Sequence, residues 1–247
     1  MRTFPLVAAG AFLLTAVAAA AQTRAQPLSG YKPVAIALPQ PVADGAFDTL
    51  RKQIGEAAQR KDRAALTALV VARGFFWLRD NRNIADKRKA GFDLLAAALG
   101  FNTKEGVGWE LLASTTEDPT ASPAPGFPGA LCAPAEPAYD RKAFAGLLAA
   151  TNSDITEWGY PVSEAIEVHA APQATAPAIE KLGLYFVRMV PETASTPPSW
   201  LRIATPSGKA GYVSVDSVAP IGNDQICYVK NGGVWKIGGY VGDGEPQ

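Results

Sequence analysis

His169 is the only histidine in this chain of 247 residues, and Cys132 and Cys227 are its only cysteines. An imidazole titrates close to neutrality, so His169 is a candidate pH-sensitive ligand contact. No patterned carboxylate or cysteine stands beside it, and metal ligation is therefore not expected. A Cys–His nucleophile needs a free thiol next to the imidazole. In an oxidising compartment two cysteines so far apart in sequence are most simply one disulfide, which removes that nucleophile; two separate buried thiols are the alternative. Closing a loop of about a hundred residues is worth on the order of 4 kcal/mol in the chain-entropy model.

Other catalytic patterns are missing. The chain holds no His-Glu-x-x-His, no Gly-x-Ser-x-Gly, no Walker-type phosphate loop and no dinucleotide fingerprint. Gly208-Lys209-Ala210 lacks the upstream glycine and the Ser/Thr of a phosphate loop. Glu117 and Asp118 are adjacent carboxylates, but they open a proline-rich stretch where solvation is expected. These residues imply no catalytic group, no metal and no cofactor.

Charge narrows the partners. The chain carries 23 Lys+Arg against 23 Asp+Glu. With no clustered basic excess to neutralise phosphates, neither nucleic acid nor anionic lipid is an expected partner. Residues 1–21 have the layout of a secretory signal: Arg2, an apolar run from Phe4 to Ala20, and small residues at Ala19 and Ala21 before Gln22. A second cut site follows Ala25. The run is short, rich in alanine and interrupted by Pro5 and Gly10, which argues against a membrane anchor. The expectation is a periplasmic or secreted protein with no membrane insertion after signal cleavage.

The elements that must position these groups fall into blocks. Residues 22–43 hold four prolines and no helical period, so an extended leader is expected. Residues 44–158 read as a mainly helical domain. Asp44 caps a first helix carrying Phe47, Leu50 and Ile54, and Asp62 caps a second with Leu66 and Leu69. Gly74 to Leu78 is too short and aromatic for a helix and reads as a buried strand or packed turn. Asn83 and Asp86 predict the start of a third helix bearing Phe92, Leu95 and Leu99, which Gly100 ends. The run from Gly106 to Thr116 leans to helix, and Asp140 caps a last one with Phe144, Leu147 and Leu148. Between them lies the proline-rich loop 119–137, where no regular structure is expected.

From Val162 the helical period gives way to short β-type segments at Ile166–Val168, Leu184–Val190, Trp200–Ile203 and Gly211–Val215, separated by turn residues. That pattern predicts a small barrel over 160–222. Three motifs in this order carry a resemblance: Ile166-Glu167-Val168-His169-Ala170-Ala171-Pro172, Trp200-Leu201-Arg202-Ile203, and Gly208-Lys209-Ala210-Gly211-Tyr212-Val213. Over residues 164–221 the chain resembles the bacterial SH3-like (SH3b) family of exported envelope proteins. The departures are Glu167 and His169 for Asn and Arg, Ala171 for Gly, and Tyr212 for Trp.

The resemblance implies an envelope protein, peptide or peptidoglycan as partner, with Tyr185, Trp200, Tyr212 and His169 as candidate contacts. Most of these aromatics are expected in the core of so small a barrel, Trp200 among them. Residues 223–247 form a hairpin about Asn231-Gly232-Gly233 and a tail. It either extends the barrel or returns to the helical domain, bringing Cys227 to Cys132. The fold class expected is α+β: a mainly helical domain, a small SH3-like barrel and a C-terminal hairpin. The function expected is a non-catalytic binding or scaffold role, or else that of an accessory subunit in which the helical domain acts and the barrel targets.

Overall fold

The computed structural model describes residues 29–80, 82–103, 106–124, 126–191 and 196–242. The expected signal, residues 1–21, lies outside the described residues. β1 (Ile36–Ala37) precedes α1 (Gly45–Gln59) and α2 (Arg63–Leu69); β2 (Phe76–Arg79) and β3 (Arg82–Asn83) lead to α3 (Gly91–Leu99) and α4 (Val107–Thr115). β4 (Ser122–Pro123), β5 (Leu131–Ala133) and β6 (Ala138–Tyr139) come before α5 (Arg141–Thr151). Then follow β7 (Trp158–Pro161), β8 (Ile166–His169), β9 (Ala178–Leu182), β10 (Val187–Met189), β11 (Trp200–Ala204), β12 (Ala210–Ser214) and β13 (Val218–Pro220). The chain closes with β14 (Gln225–Asn231) and β15 (Val234–Val241). The fold is mixed α+β.

Helix starts follow local chemistry. The side chains of Asp44, Asp62 and Asp140 accept backbone N–H bonds at the first turns of α1, α2 and α5, satisfying donors that have no partner within the helix. The third helix differs from expectation: it begins at Gly91, not near Asn83. Asn83 instead lies in β3, where its Oδ1 accepts from the N–H groups of Trp77 (3.0 Å) and Ala85 (3.1 Å), so its capping capacity serves a strand and a turn. Gly91 is required by close approach, because a Cβ there would stand 2.0 Å from the Val71 carbonyl oxygen. Gly100 ends α3 in the left-handed region at φ 68.

The first sheet has the order β3-β2-β15-β14-β5-β4, with β15 parallel to β2 and the other pairs antiparallel. The C-terminal hairpin therefore supplies its two central strands, and the part read as mainly helical carries a six-stranded sheet. Alternation along β14 sends Ile226 and Tyr228 to one face, into a core with Phe47, Ile54, Leu66, Leu95 and Leu112 of the helices. Cys227 points to the other face, joining Phe76, Ala124 and Cys132. Two strands also lie within the proline-rich segment expected to be irregular. Pro123 is tolerated because β4 is the sheet edge, where a missing N–H leaves no ladder bond unmade.

The second sheet is antiparallel throughout, in the order β13-β7-β10-β11-β12-β8-β9. One cluster on it comprises Val168, Leu182, Val187, Ile203, Val213 and Val218, drawn from both edge strands as well as the centre. A second gathers Trp158, Tyr160, Phe186 and Ile221 with Phe144 and Leu147 of α5. The last helix of the N-terminal part thus packs with this sheet.

The leader packs onto the second sheet and α5 from Tyr31 onward. Val34 and Ile36 are buried in the same cluster, β1 pairs with β6, Ile36 N–H donates to Leu184 O (3.0 Å), and Phe186 N–H donates to Val34 O (3.1 Å). Its prolines favour an extended path, and its interspersed apolar side chains give that path a core to enter.

Candidate functional site

Three of the four expected contact residues share the outward side of the second sheet. In the β11–β12 register Trp200 faces Ser214 and Arg202 faces Tyr212, and Tyr212 is also opposite His169 of β8. Because alternate residues point to opposite faces, Ile203 and Val213 enter the core while Trp200, Tyr212 and Ser214 point away from it. Trp200 is half-buried at the first position of its strand, which corrects its expected place in the core. A register irregularity between Val168 and His169 re-aims the histidine at this strand end.

His169 and Trp200 meet edge to face with ring centroids 5.6 Å apart. They border a depression of about 460 Å³ whose remaining wall includes Glu167, Ser199, Ser214 and Ser217. His169 Nδ1 lies 2.9 Å from the Ala176 carbonyl oxygen. An acceptor there requires N–H at Nδ1, so the neutral ring keeps Nε2 as its acceptor. The depression therefore offers an apolar ring, an imidazole acceptor, a carboxylate and hydroxyls. Tyr185 is not part of it. That residue bridges Ala35 of the leader, and the β10–β11 register places it beyond Ala204, at the far end from Trp200.

Cys132 and Cys227 form a disulfide between directly opposed residues of β5 and β14, and both are buried. Their sulfurs are thereby removed from nucleophilic chemistry, and the bond fits an oxidising, extracytoplasmic compartment. No helix among the described residues is long and apolar enough to cross a membrane. Of the adjacent carboxylates, Asp118 accepts from the Thr120 N–H at 2.7 Å and so shapes its own turn.

A larger cavity, about 940 Å³, opens beside the hairpin and is lined by groups including Asp80, Phe127, Glu136, Asp224 and Gln225. Sequence reasoning did not single these out. They come from four separated segments with no common spacing, and only turn signals such as Gly222-Asn223-Asp224 mark any of them locally.

No protein-family model, no curated protein and no solved structure matches this chain.

Proposed function

We propose that this chain is an exported, periplasmic, non-catalytic binding or scaffold protein, and that residues 164–221 form an SH3-like module docking a cell-envelope ligand on its outward face. The observation that carries this reading is the half-buried Trp200 set edge to face against His169 over a depression walled by serine hydroxyls and Glu167. An aromatic ring at a strand end, kept out of the core and ringed by hydrogen-bonding groups, suits recognition of a ligand with both apolar and polar surface. The sharing of one cluster by β9 and β13, the two edges of the sheet, supports closure of the module into a barrel. On the helical face of the first sheet, Phe47, Ile54, Leu95 and Tyr228 fill the core.

The test uses the full mature chain, because α5 and the leader share the core of the second sheet. In co-sedimentation with purified peptidoglycan, the wild-type chain is expected in the pellet and Trp200→Ala in the supernatant, with a thermal midpoint within a few degrees of wild type. An absence of wild-type pelleting removes wall docking. Pelleting that survives Trp200→Ala removes this face as the docking site.

A further inference from the structure

The broad cavity beside the hairpin takes no part in that reading. It opens where the end of β2, the turn after β4, Glu136 and the 222–225 connection converge, at one end of the first sheet. Phe127 lines the cavity, and its ring is stacked on Phe76 at 3.8 Å between centroids and 18° between planes. Phe76 is buried, so it backs Phe127 from the core side, while Phe127 itself is only half-buried.

The same cavity is lined by planar polar groups already held by the protein. The Asn223 amide donates to Pro220 O at 3.2 Å and the Gln225 amide to Pro134 O at 2.6 Å. Glu136 accepts the Gly222 N–H at 2.8 Å, and Asp224 accepts the Tyr240 hydroxyl. Each group uses part of its hydrogen-bonding capacity for its own placement. The amide oxygens and the remaining carboxylate lone pairs are left over.

A stacked aromatic ring sharing a cavity with pre-placed amides and carboxylates matches a molecule with an apolar C–H face and a rim of hydroxyls, each both donor and acceptor. A pyranose ring has that form. The cavity volume falls within the range that accepts drug-sized ligands, so it accommodates more than one ring. We propose that this cleft binds a neutral saccharide, with Phe127 as the stacking face and Glu136, Asp224 and Gln225 as hydroxyl partners. Groups fixed in advance lower the ordering cost of binding.

The experiment is calorimetric titration of the full mature chain with three soluble probes that contain no peptidoglycan sugar: mannotriose, cellotriose and maltotriose. At least one is expected to bind with Kd of about 1 mM or tighter. Phe127→Ala and Asp224→Asn are each expected to weaken it about tenfold or more, a loss of about 1.4 kcal/mol, and Trp200→Ala to leave it unchanged. Thermal unfolding is followed alongside. If Phe127→Ala does not fold, Asp224→Asn decides, because asparagine still accepts the Tyr240 hydroxyl. The proposal is overturned if none of the three sugars binds, if binding is indifferent to these variants, or if it is lost in Trp200→Ala. Tighter, salt-sensitive binding of trilysine would also overturn it by identifying a cation site. Because the probes are soluble and Trp200→Ala is the control, failure here is distinguishable from failure of wall docking.

Discussion

At the residue scale, Asp44 joins helix to hairpin. Its Oδ1 accepts the N–H groups of Ala46 and Phe47, and its Oδ2 accepts the Trp235 indole N–H at 2.9 Å and lies 3.2 Å from Lys230 Nζ. The indole donor, with the Phe47 N–H and the Lys230 ammonium, holds the carboxyl well below the usual carboxylate range, at about 2. A depressed folded-state pKa contributes stability that is fully present above the ordinary value and lost as pH falls through the folded one. Thermal midpoints measured between pH 5 and pH 1.5 are therefore expected to fall less in Asp44→Asn than in wild type, with Asp44→Asn the less stable at pH 5. Parallel profiles would remove this account. The capping role of Asp44 was legible, because an aspartate before a periodic apolar run announces a helix start. Its second role was not, since Trp235 lies 191 residues away. Arg51 is a similar case. It is buried on α1 and donates to the carbonyls of Thr116 and Asp118 near the end of α4.

At the element scale, the leader behaves as a strand of the core. Ile36 is buried beneath Phe186 and α5, and its N–H completes a bond to Leu184. Truncating a buried isoleucine costs about 2–5 kcal/mol through lost transfer energy and the cavity left behind. Ile36→Ala is expected to lower denaturant stability by an amount in that range, whereas a solvated spacer would show almost no change. Proline count and missing helical period indicated an extended segment, within which Ile36–Ala37 forms β1. They carried no information about what lay beside it, because burial of an extended strand depends on neighbours supplied by residues 139–186. The proline-rich segment 119–137 differs for a related reason: proline forbids a central strand but not an edge one, and edge position is a property of the assembled sheet.

At the scale of the whole molecule, two sheets are tied by elements that cross between them. The hairpin returns to the first sheet after the second is complete, α5 leaves the first part to pack on the second, and the leader runs between Tyr185 and Pro119. The disulfide fastens β5 to β14 at the centre of this arrangement. Replacing both Cys132 and Cys227 by alanine is expected to cost about 2–5 kcal/mol in denaturant unfolding, measured without reductant. Reductant is then expected to destabilise wild type and leave the double variant unchanged; equal responses would show that the bond does not form in solution. By itself the sequence determined what local chemistry controls: the capped helices, the alternating strands, the Asn-Gly turn and a cysteine pair able to bond. Only the tertiary structure decided that the hairpin lies between β2 and β5, that Trp200 faces outward beside His169, and that Phe127, Glu136 and Asp224 line one cleft. The physical reason is range. Capping, turn geometry and side-chain period are set within a few residues of chain, whereas strand order and cavity lining are set by which distant apolar faces bury one another.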